Sequence, residues 1–242
     1  MKKFISLALI MVILIFSVIS CGTKNDAETT SATTTAETTS QTTAETTAQT
    51  TTTATTTTTT TTTASPVTPP SEIDENVYHS YFIDLTFTKP DSWIYYSKEE
   101  IAAMMGIVSD MLYTDDMKAI IENSDLDIDT VIEFVAANMR TGETVTLTVE
   151  KKSDLINNEE TYINYLKLLL PQSFVNTEIT FGQTSNIVLG VTPFKKINAY
   201  LNINGMELEQ TYYICLHDGY VVSITTSTSF GTPSETFEAM FS

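Results

Sequence analysis

Three aspartates in the stretch NSDLDIDT have the alternate spacing with which a loop can present oxygen atoms to a cation. Asp125, Asp127 and Asp129 would occupy the first, third and fifth positions of a calcium-binding loop. The sixth position is Thr130, where such a loop needs glycine, and the twelfth is Ala136, where it needs glutamate. The sequence therefore excludes an EF-hand. It leaves the aspartates as candidates for a looser calcium site, or as part of a solvated acidic loop.

Nucleophilic and cofactor chemistry has little support in the sequence. Cys215 and His217 lie two residues apart, so they would share one face of a strand, but no neighbouring residue would orient such a pair. Because Cys215 lies in the apolar run YYICL, the pattern favours a buried structural cysteine. The sequence has no glycine-rich phosphate loop, no Gly-x-Ser-x-Gly turn and no Cys/His cluster for zinc. We therefore predict no catalytic residue and no cofactor.

Aromatic residues are the remaining candidates for a binding surface. Tyr95 and Tyr96 follow Trp93 after the first predicted strand, and Tyr213 lies in a long predicted strand further on. Exposed aromatic rings stack on sugars or anchor a protein partner, whereas buried rings fill the core. The three tyrosines are candidate partner-binding residues, and Trp93 is predicted to fill the core.

The first 21 residues have the composition of a signal peptide. Lys2 and Lys3 precede an apolar run that ends at Ser20, and the next residues complete the motif VISCG. VISCG resembles a bacterial lipobox, which implies cleavage before Cys21 and attachment of lipid, such as palmitate, to that cysteine. The alternative is an uncleaved anchor helix. Either arrangement holds the protein at the outer face of the cytoplasmic membrane, so the membrane itself is one predicted partner.

Threonine dominates the second region, residues 22–71. Between Thr29 and Thr63, 24 of 35 residues are threonine, and the unit TTAETTSQ is followed directly by TTAETTAQ. Because it has so few apolar side chains, this region cannot bury enough surface to offset the entropy lost on ordering. We predict a disordered spacer, similar in composition to an O-glycosylated stalk. A repeat without a selected length is the alternative.

The third region, residues 72–242, has the composition of one folded domain. It contains 26 acidic and 9 basic residues, a formal charge of −17 (26 minus 9). About 170 residues are enough to bury a core of their own. Since a strongly acidic domain is repelled by phosphate backbones, the charge argues against a nucleic-acid partner.

Apolar periodicity predicts both strands and helices in the first half of this domain. The run YFIDLTFT, residues 81–88, alternates as a half-buried strand. Ser97 and Glu100 form a capping box for a helix that continues as SKEEIAAMMGIVSDMLY. A hairpin follows at Thr141-Gly142. Its second strand alternates threonine with valine or leucine over residues 144–149, which predicts one buried face.

The second half of the domain reads as a helix followed by a β-meander. Asn158 is a predicted cap of the helix, and Pro171 is predicted to end it. Asn204-Gly205 is a strong signal for a tight hairpin between two long alternating strands. A last helix is predicted to begin with Thr232 as its N-cap.

This order of elements predicts an α+β fold, in which helices pack on an antiparallel β-sheet. The segments FTKPDSW, SKEEI and a C-terminal SF…ETFEAMF resemble the PsbP-like fold found in many lipoproteins of Gram-positive gut anaerobes. The resemblance covers about residues 78–242 and implies an α/β/α sandwich. The group also includes extrinsic photosystem subunits and protein-binding adaptors. The resemblance implies no catalytic residue.

The leading functional interpretation is a non-enzymatic binding or accessory module on a surface-tethered lipoprotein, which would meet an envelope protein or a wall glycan. One alternative is a cell-envelope hydrolase that uses a carboxylate pair, and another is a ligand-capture lipoprotein that assists transport. A carboxylate pair with raised pKa values in a cleft would favour the hydrolase. An exposed aromatic patch would favour the binding module, and a deep pocket would favour ligand capture.

Overall fold

The computed structural model describes residues 72–73, 75–105, 121, 129–174, 177–229 and 231–242. The predicted signal peptide with Cys21, the threonine-rich region, and the two aspartates Asp125 and Asp127 lie outside the described residues. The later part of the first predicted helix, from residue 106 on, also lies outside them.

The described residues form eleven strands and three helices. The helices are α1 (Lys98–Met105), α2 (Glu159–Ser173) and α3 (Ser234–Glu238). The strands are β1 (Glu72–Ile73), β2 (Val77–Ser80), β3 (Leu85–Thr88), β4 (Ile94–Tyr95), β5 (Thr130–Asn138), β6 (Glu143–Lys151), β7 (Glu178–Phe181), β8 (Ser185–Leu189), β9 (Thr192–Ile203), β10 (Met206–His217) and β11 (Tyr220–Thr228).

Eight strands form one antiparallel sheet in the order β4-β5-β6-β11-β10-β9-β7, and β8 pairs with β9 beyond β7 on the same side. The hairpins predicted at Thr141-Gly142 and Asn204-Gly205 are confirmed. Asn204 and Gly205 have φ angles of 53° and 88°, the left-handed values that a two-residue turn between twisted strands requires. The long meander therefore follows the chain order from β9 to β11.

Two separate cores lie on the two faces of this sheet. Successive side chains of a strand point to opposite faces, and the neighbours Tyr212 and Tyr213 show this directly. Tyr212 packs in the core under α2, on the side that we call the helix face. Tyr213 packs in the core that contains Trp93 and Phe237, on the side that we call the aromatic face. Trp93 therefore fills the core, as predicted.

Helices α1 and α2 cover parts of the helix face. The capping box of α1 is confirmed, since the amide of Ser97 donates to Glu100 and the amide of Glu100 donates to the Ser97 hydroxyl. Asn158 caps α2 by accepting from the amide of Thr161 at 2.9 Å. Pro171, however, does not end α2.

The helix continues through Pro171 to Ser173. The amide of Phe174 bonds to the Leu170 carbonyl at 3.3 Å, and the Phe174 side chain is buried beside α2. A proline removes one helical hydrogen bond. Here the closing hydrogen bond and the buried ring stabilise the last turn, so the prediction that the helix ends at the proline was wrong.

The aromatic face is covered by a second, three-stranded sheet in the order β1-β2-β3 and by α3. The rings of Phe87 on β3 and Phe134 on β5 stack at 4.9 Å between their centroids. The predicted single strand over residues 81–88 is wrong in its first half, because residues 81–84 form a turn. Asp84 adopts a φ of 50° there, which reverses the chain between β2 and β3.

Two further expectations are corrected. Thr232 does not cap α3; its hydroxyl donates instead to the Glu143 carboxylate, and the helix begins after Pro233. The threonines of β6 are buried as well as its valines and leucine, because β6 lies between β5 and β11 with both faces covered. Sequence alternation alone does not distinguish a polar side chain in water from one buried between layers.

Helices lie on both faces of an antiparallel sheet, so the predicted α+β class and its α/β/α layering are confirmed. None of the helices in the described residues has the length and apolar character needed to span a bilayer.

Candidate binding surface

The second sheet and α3 leave part of the aromatic face open. A hollow of about 440 Å³ lies there over strands β7, β9 and β10, bordered by Ser229 and Gly231 of the segment before α3. Its volume is at the lower end of the roughly 300–1,000 Å³ that is common for ligand-binding clefts. Its lining is Glu178, Thr180, Tyr200, Leu201, Asn202, Glu207, Leu208, Glu209, Thr228, Ser229 and Gly231. We call it the acidic hollow.

Strand register places the side chains of the acidic hollow in two rows across the sheet. Asn202 pairs with Glu178 on one side and with Glu207 on the other. In the next row Tyr200 pairs with Glu209. Neighbouring strands are about 4.8 Å apart, so Glu178 and Glu207 are separated by roughly 10 Å, and Tyr200 lies one row away from both.

The Tyr200 side chain is 45% exposed, although it projects from the middle of a long strand. Asn198 donates to the Glu209 carboxylate at 2.6 Å and makes a long contact of 3.5 Å with the Tyr200 hydroxyl. This amide holds Glu209 beside the aromatic ring. Hydrogen bonding and strand pairing thus fix the positions of the ring and of one carboxylate before any ligand binds.

The charge of the acidic hollow is of one sign. Three glutamates line it, and no lysine or arginine is among the lining residues. Within the described part of the chain, Glu178 and Glu207 have no ion pair with a basic side chain. The surface therefore attracts cationic groups and repels anionic ones.

The three tyrosines predicted to bind a partner are placed differently. Tyr95 is half-buried, and its hydroxyl donates to the carbonyls of Asn76 and Phe87. Tyr96 is half-buried against the small cluster around Ile101. Tyr213 is completely buried, so its ring is not part of the surface. The structure does not bring these three rings together into one exposed patch.

The described aspartate of the predicted calcium loop, Asp129, lies just before β5 and accepts from the amide of Lys151 through its backbone carbonyl. Among the described residues, no group of three or more metal-ligating side chains is gathered. The negative charge of Asp129 raises the pKa of a neighbouring carboxyl group, that of Glu150.

Among the described residues, Glu150 has the carboxyl group whose pKa is most altered. Burial raises its pKa from 4.5 to about 7; the hydrogen bond from the Tyr162 hydroxyl lowers it, and the nearby charge of Asp129 raises it further. The Tyr162 hydroxyl donates to Glu150 Oε2 at 2.8 Å, and Tyr162 is a buried residue of α2 itself. Neither the acidic hollow nor the hollow of about 390 Å³ beside Val188 includes Glu150 in its lining.

Cys215 is a buried residue of the aromatic-face core, as predicted. Burial, with a smaller effect of the Glu159 charge, raises the pKa of its thiol to about 12. The His217 ring packs edge-on against Phe82 at 5.0 Å. Within the described residues no hydrogen bond joins Cys215 to His217, so the arrangement is that of packing and not of a nucleophile with its base.

Tyr200 and the three glutamates were not among the residues predicted from the sequence. One signal for Tyr200 was present. In the run INAYLNI, Ile197, Ala199 and Leu201 alternate with more polar residues, so Tyr200 falls on the opposite face from the apolar ones. The alternation alone does not establish exposure, because Tyr213 shares its strand face with Glu207 and Glu209 and is buried.

Comparison with known proteins finds similarity in fold. No family model and no curated protein matches the chain. Among solved structures, the cyanobacterial PsbP (CyanoP) of Synechocystis sp. PCC 6803 aligns with 69% of this chain and 90% of its own, at 9% identity and a TM-score of 0.43.

Two other solved structures are similar at lower scores. A protein of Bacteroides thetaiotaomicron VPI-5482 aligns with 73% of this chain and 48% of its own, at 9% identity and a TM-score of 0.37. LpqN of Mycobacterium tuberculosis, described as involved in cell envelope biogenesis, aligns with 64% of this chain and 76% of its own, at 12% identity and a TM-score of 0.33. At these identities the likeness concerns the arrangement of strands and helices alone.

Proposed function

We propose that the protein is a surface-tethered lipoprotein whose folded domain is a non-enzymatic binding or accessory module. The lipid would be carried by Cys21 at the outer face of the cytoplasmic membrane, and residues 22–71 would form the spacer. The observation that supports a binding role is the acidic hollow, where Tyr200 and three glutamates line an open part of a rigid sheet. Sites on strands hold side chains more precisely than sites on loops.

The shape of the acidic hollow favours binding of a partner over capture of a small ligand. Its central ring is 45% exposed, and Glu178 and Glu207 are exposed at its rim. A capture site for a small molecule usually encloses most of the ligand's surface. An open polar surface with an aromatic centre is typical of protein or glycan partners.

Photo-crosslinking in the producing cell tests this function. A photoreactive phenylalanine at position 200 is expected to give discrete crosslinked products, because the partner covers Tyr200. The same residue at position 155 is the matched control, since Leu155 is 77% exposed and lies outside the acidic hollow. Identical products from both positions, or none from position 200, would contradict a partner site at the hollow.

A second candidate function, a cell-envelope hydrolase, is favoured by one observation, the raised pKa of Glu150 beside Asp129. A carboxyl group with a pKa near 7 is suited to act as a general acid. If this function were correct, Glu150→Gln would abolish turnover of wall glycans while Tyr200→Ala would leave it intact. We rank it second because the Glu150 carboxylate already accepts a hydrogen bond from the hydroxyl of Tyr162, a buried residue of α2.

A further inference from the structure

We propose that the acidic hollow binds an extended basic segment of a partner protein, whose lysine or arginine side chains lie over Tyr200 and between the glutamates. This inference rests on the proposed binding function and names the chemistry of its ligand. Two observations support a basic ligand: the geometry of the hollow, and a closely related arrangement of side chains elsewhere on the same face of the sheet.

In the related arrangement, the cation, the aromatic ring and the carboxylate all belong to this chain. On the same two strands, Lys196 of β9 pairs with Tyr213 of β10, and the Lys196 ammonium lies 6.0 Å from the centre of the Tyr213 ring. The ammonium also donates to Glu238 at 2.6 Å, and the Tyr213 hydroxyl donates to the same carboxylate at 3.1 Å. A cation is thus held between an aromatic face and a carboxylate.

The acidic hollow repeats this arrangement without its cation. Tyr200 and Glu209 pair directly on the same strands, four residues further along β9 and four residues back along β10. That is a shift of roughly 13 Å along the sheet. The ring and the carboxylates are present, but none of the lining residues carries a positive charge. A partner side chain with an ammonium or guanidinium group would supply the missing cation.

The spacing of the carboxylates favours a protein segment over a single small cation. Glu178 and Glu207 are on either side of Asn202, roughly 10 Å apart, and Glu209 is in the next row. Alternate side chains of an extended peptide project from one side roughly 7 Å apart, so two of them can reach separate carboxylates. The aliphatic stem of lysine or arginine can lie along the Tyr200 ring while its head reaches a glutamate.

Non-specific attraction must be separated from site binding, because the whole domain is acidic. The experiment measures binding of a fluorescein-labelled octapeptide of alternating lysine and serine to the purified full-length chain in detergent, at about 150 mM salt. The test variant is Glu178→Gln with Glu207→Gln. The matched variant is Asp154→Asn with Glu160→Gln, which changes the net charge equally at exposed positions outside the hollow.

The test variant is expected to bind the octapeptide about tenfold more weakly than the unmodified chain, and the matched variant to bind it within about twofold. Tyr200→Ala should weaken binding about tenfold, whereas Tyr200→Phe should retain it, since phenylalanine keeps the aromatic face. Equal losses in the test and matched variants, or no loss in Tyr200→Ala, would overturn the proposal.

Other ligand classes are distinguished in the same assay. If spermine, or a neutral wall glycan, binds the chain and the octapeptide does not, the basic-segment proposal is wrong. Crosslinks from position 200 in cells would in that case still support a binding module. If the octapeptide fails and position 200 also gives no crosslinks, both the ligand class and the binding function are contradicted.

Discussion

Glu150 is the residue whose protonation is expected to alter stability. Its pKa is about 7 in the folded protein, raised from 4.5 mainly by burial. Between these two pH values the folded state binds more protons than the unfolded state, so the free energy of unfolding falls as pH rises from 4.5 towards 7. Above pH 7 the loss is complete. The loss in the free energy of unfolding amounts to about 2–3 kcal/mol, a figure that already allows for the partial exposure of the side chain.

Glu150→Gln is expected to remove this component, because glutamine does not ionise and still offers an oxygen to the Tyr162 hydroxyl. Urea unfolding at about pH 5 and about pH 8 should show a smaller loss of stability on going to the higher pH in the variant than in the unmodified chain. Glu160→Gln, on the exposed side of α2, is the control variant and is measured at the same two pH values. The same loss between the two pH values in both Glu150→Gln and the unmodified chain would show that Glu150 does not have the raised pKa.

Among the elements, α3 is held to the sheet by the buried Phe237 and by a group of polar side chains around Lys196. Lys196 donates to Ser234 at 2.7 Å and to Glu238 at 2.6 Å, and both side chains of the ion pair are only 16% exposed. Glu238→Gln leaves the ammonium without a charged partner in a site with little water. We expect it to lower the free energy of unfolding by roughly 2 kcal/mol.

Glu235→Gln is the matched control for that prediction, since Glu235 is exposed on the same helix. It should change stability by less than about 0.5 kcal/mol in the same urea titration. In Glu238→Gln, but not in Glu235→Gln, hydrogen exchange should also be faster at the amides of residues 239–241, which α3 holds beside β3. Equal effects of the two substitutions would mean that the ion pair does not anchor the helix.

The elements best predicted from the sequence were those with local chemical signals. Ser97 with Glu100, and Asn204 with Gly205, specify a helix start and a hairpin through bonds within a few residues. The turn at Asp84 has no glycine to mark it, because an aspartate adopts the left-handed conformation there. Local patterns could not reveal that the chain reverses to form a second sheet.

The acidic hollow was less predictable from the sequence than the helix start and the hairpin. Tyr200 and Glu209 lie on the two strands of the predicted hairpin, but Glu178 lies on β7, and no local turn signal shows that β7 pairs with β9. Tyr213 is a candidate from the sequence because it is aromatic and lies in the meander, but its ring is buried. Its burial follows from α3 covering that part of the aromatic face, which is a tertiary contact.

For the whole molecule, the proposed anchor determines where the acidic hollow is presented. Cys21→Ala is expected to abolish incorporation of a labelled fatty acid, because Cys21 is the proposed attachment point. Cys215→Ala is the matched control, since Cys215 is buried within the domain. Fatty-acid labelling that persists in Cys21→Ala and disappears in Cys215→Ala would place the lipid at the wrong cysteine.

The outer edge of the main sheet is formed by two short strands and not by one long strand, and this affects how neighbouring copies of the protein could pair. Strands β7 and β8 lie along the same side of β9, separated by residues 182–184, where the amide of Gly182 donates to the Asn198 carbonyl. An uninterrupted edge would offer a continuous ladder of backbone groups to a second molecule, which is how sheets begin to aggregate. Short, interrupted strands limit that pairing. At the proposed cell surface, these short strands would reduce edge-to-edge pairing between neighbouring copies.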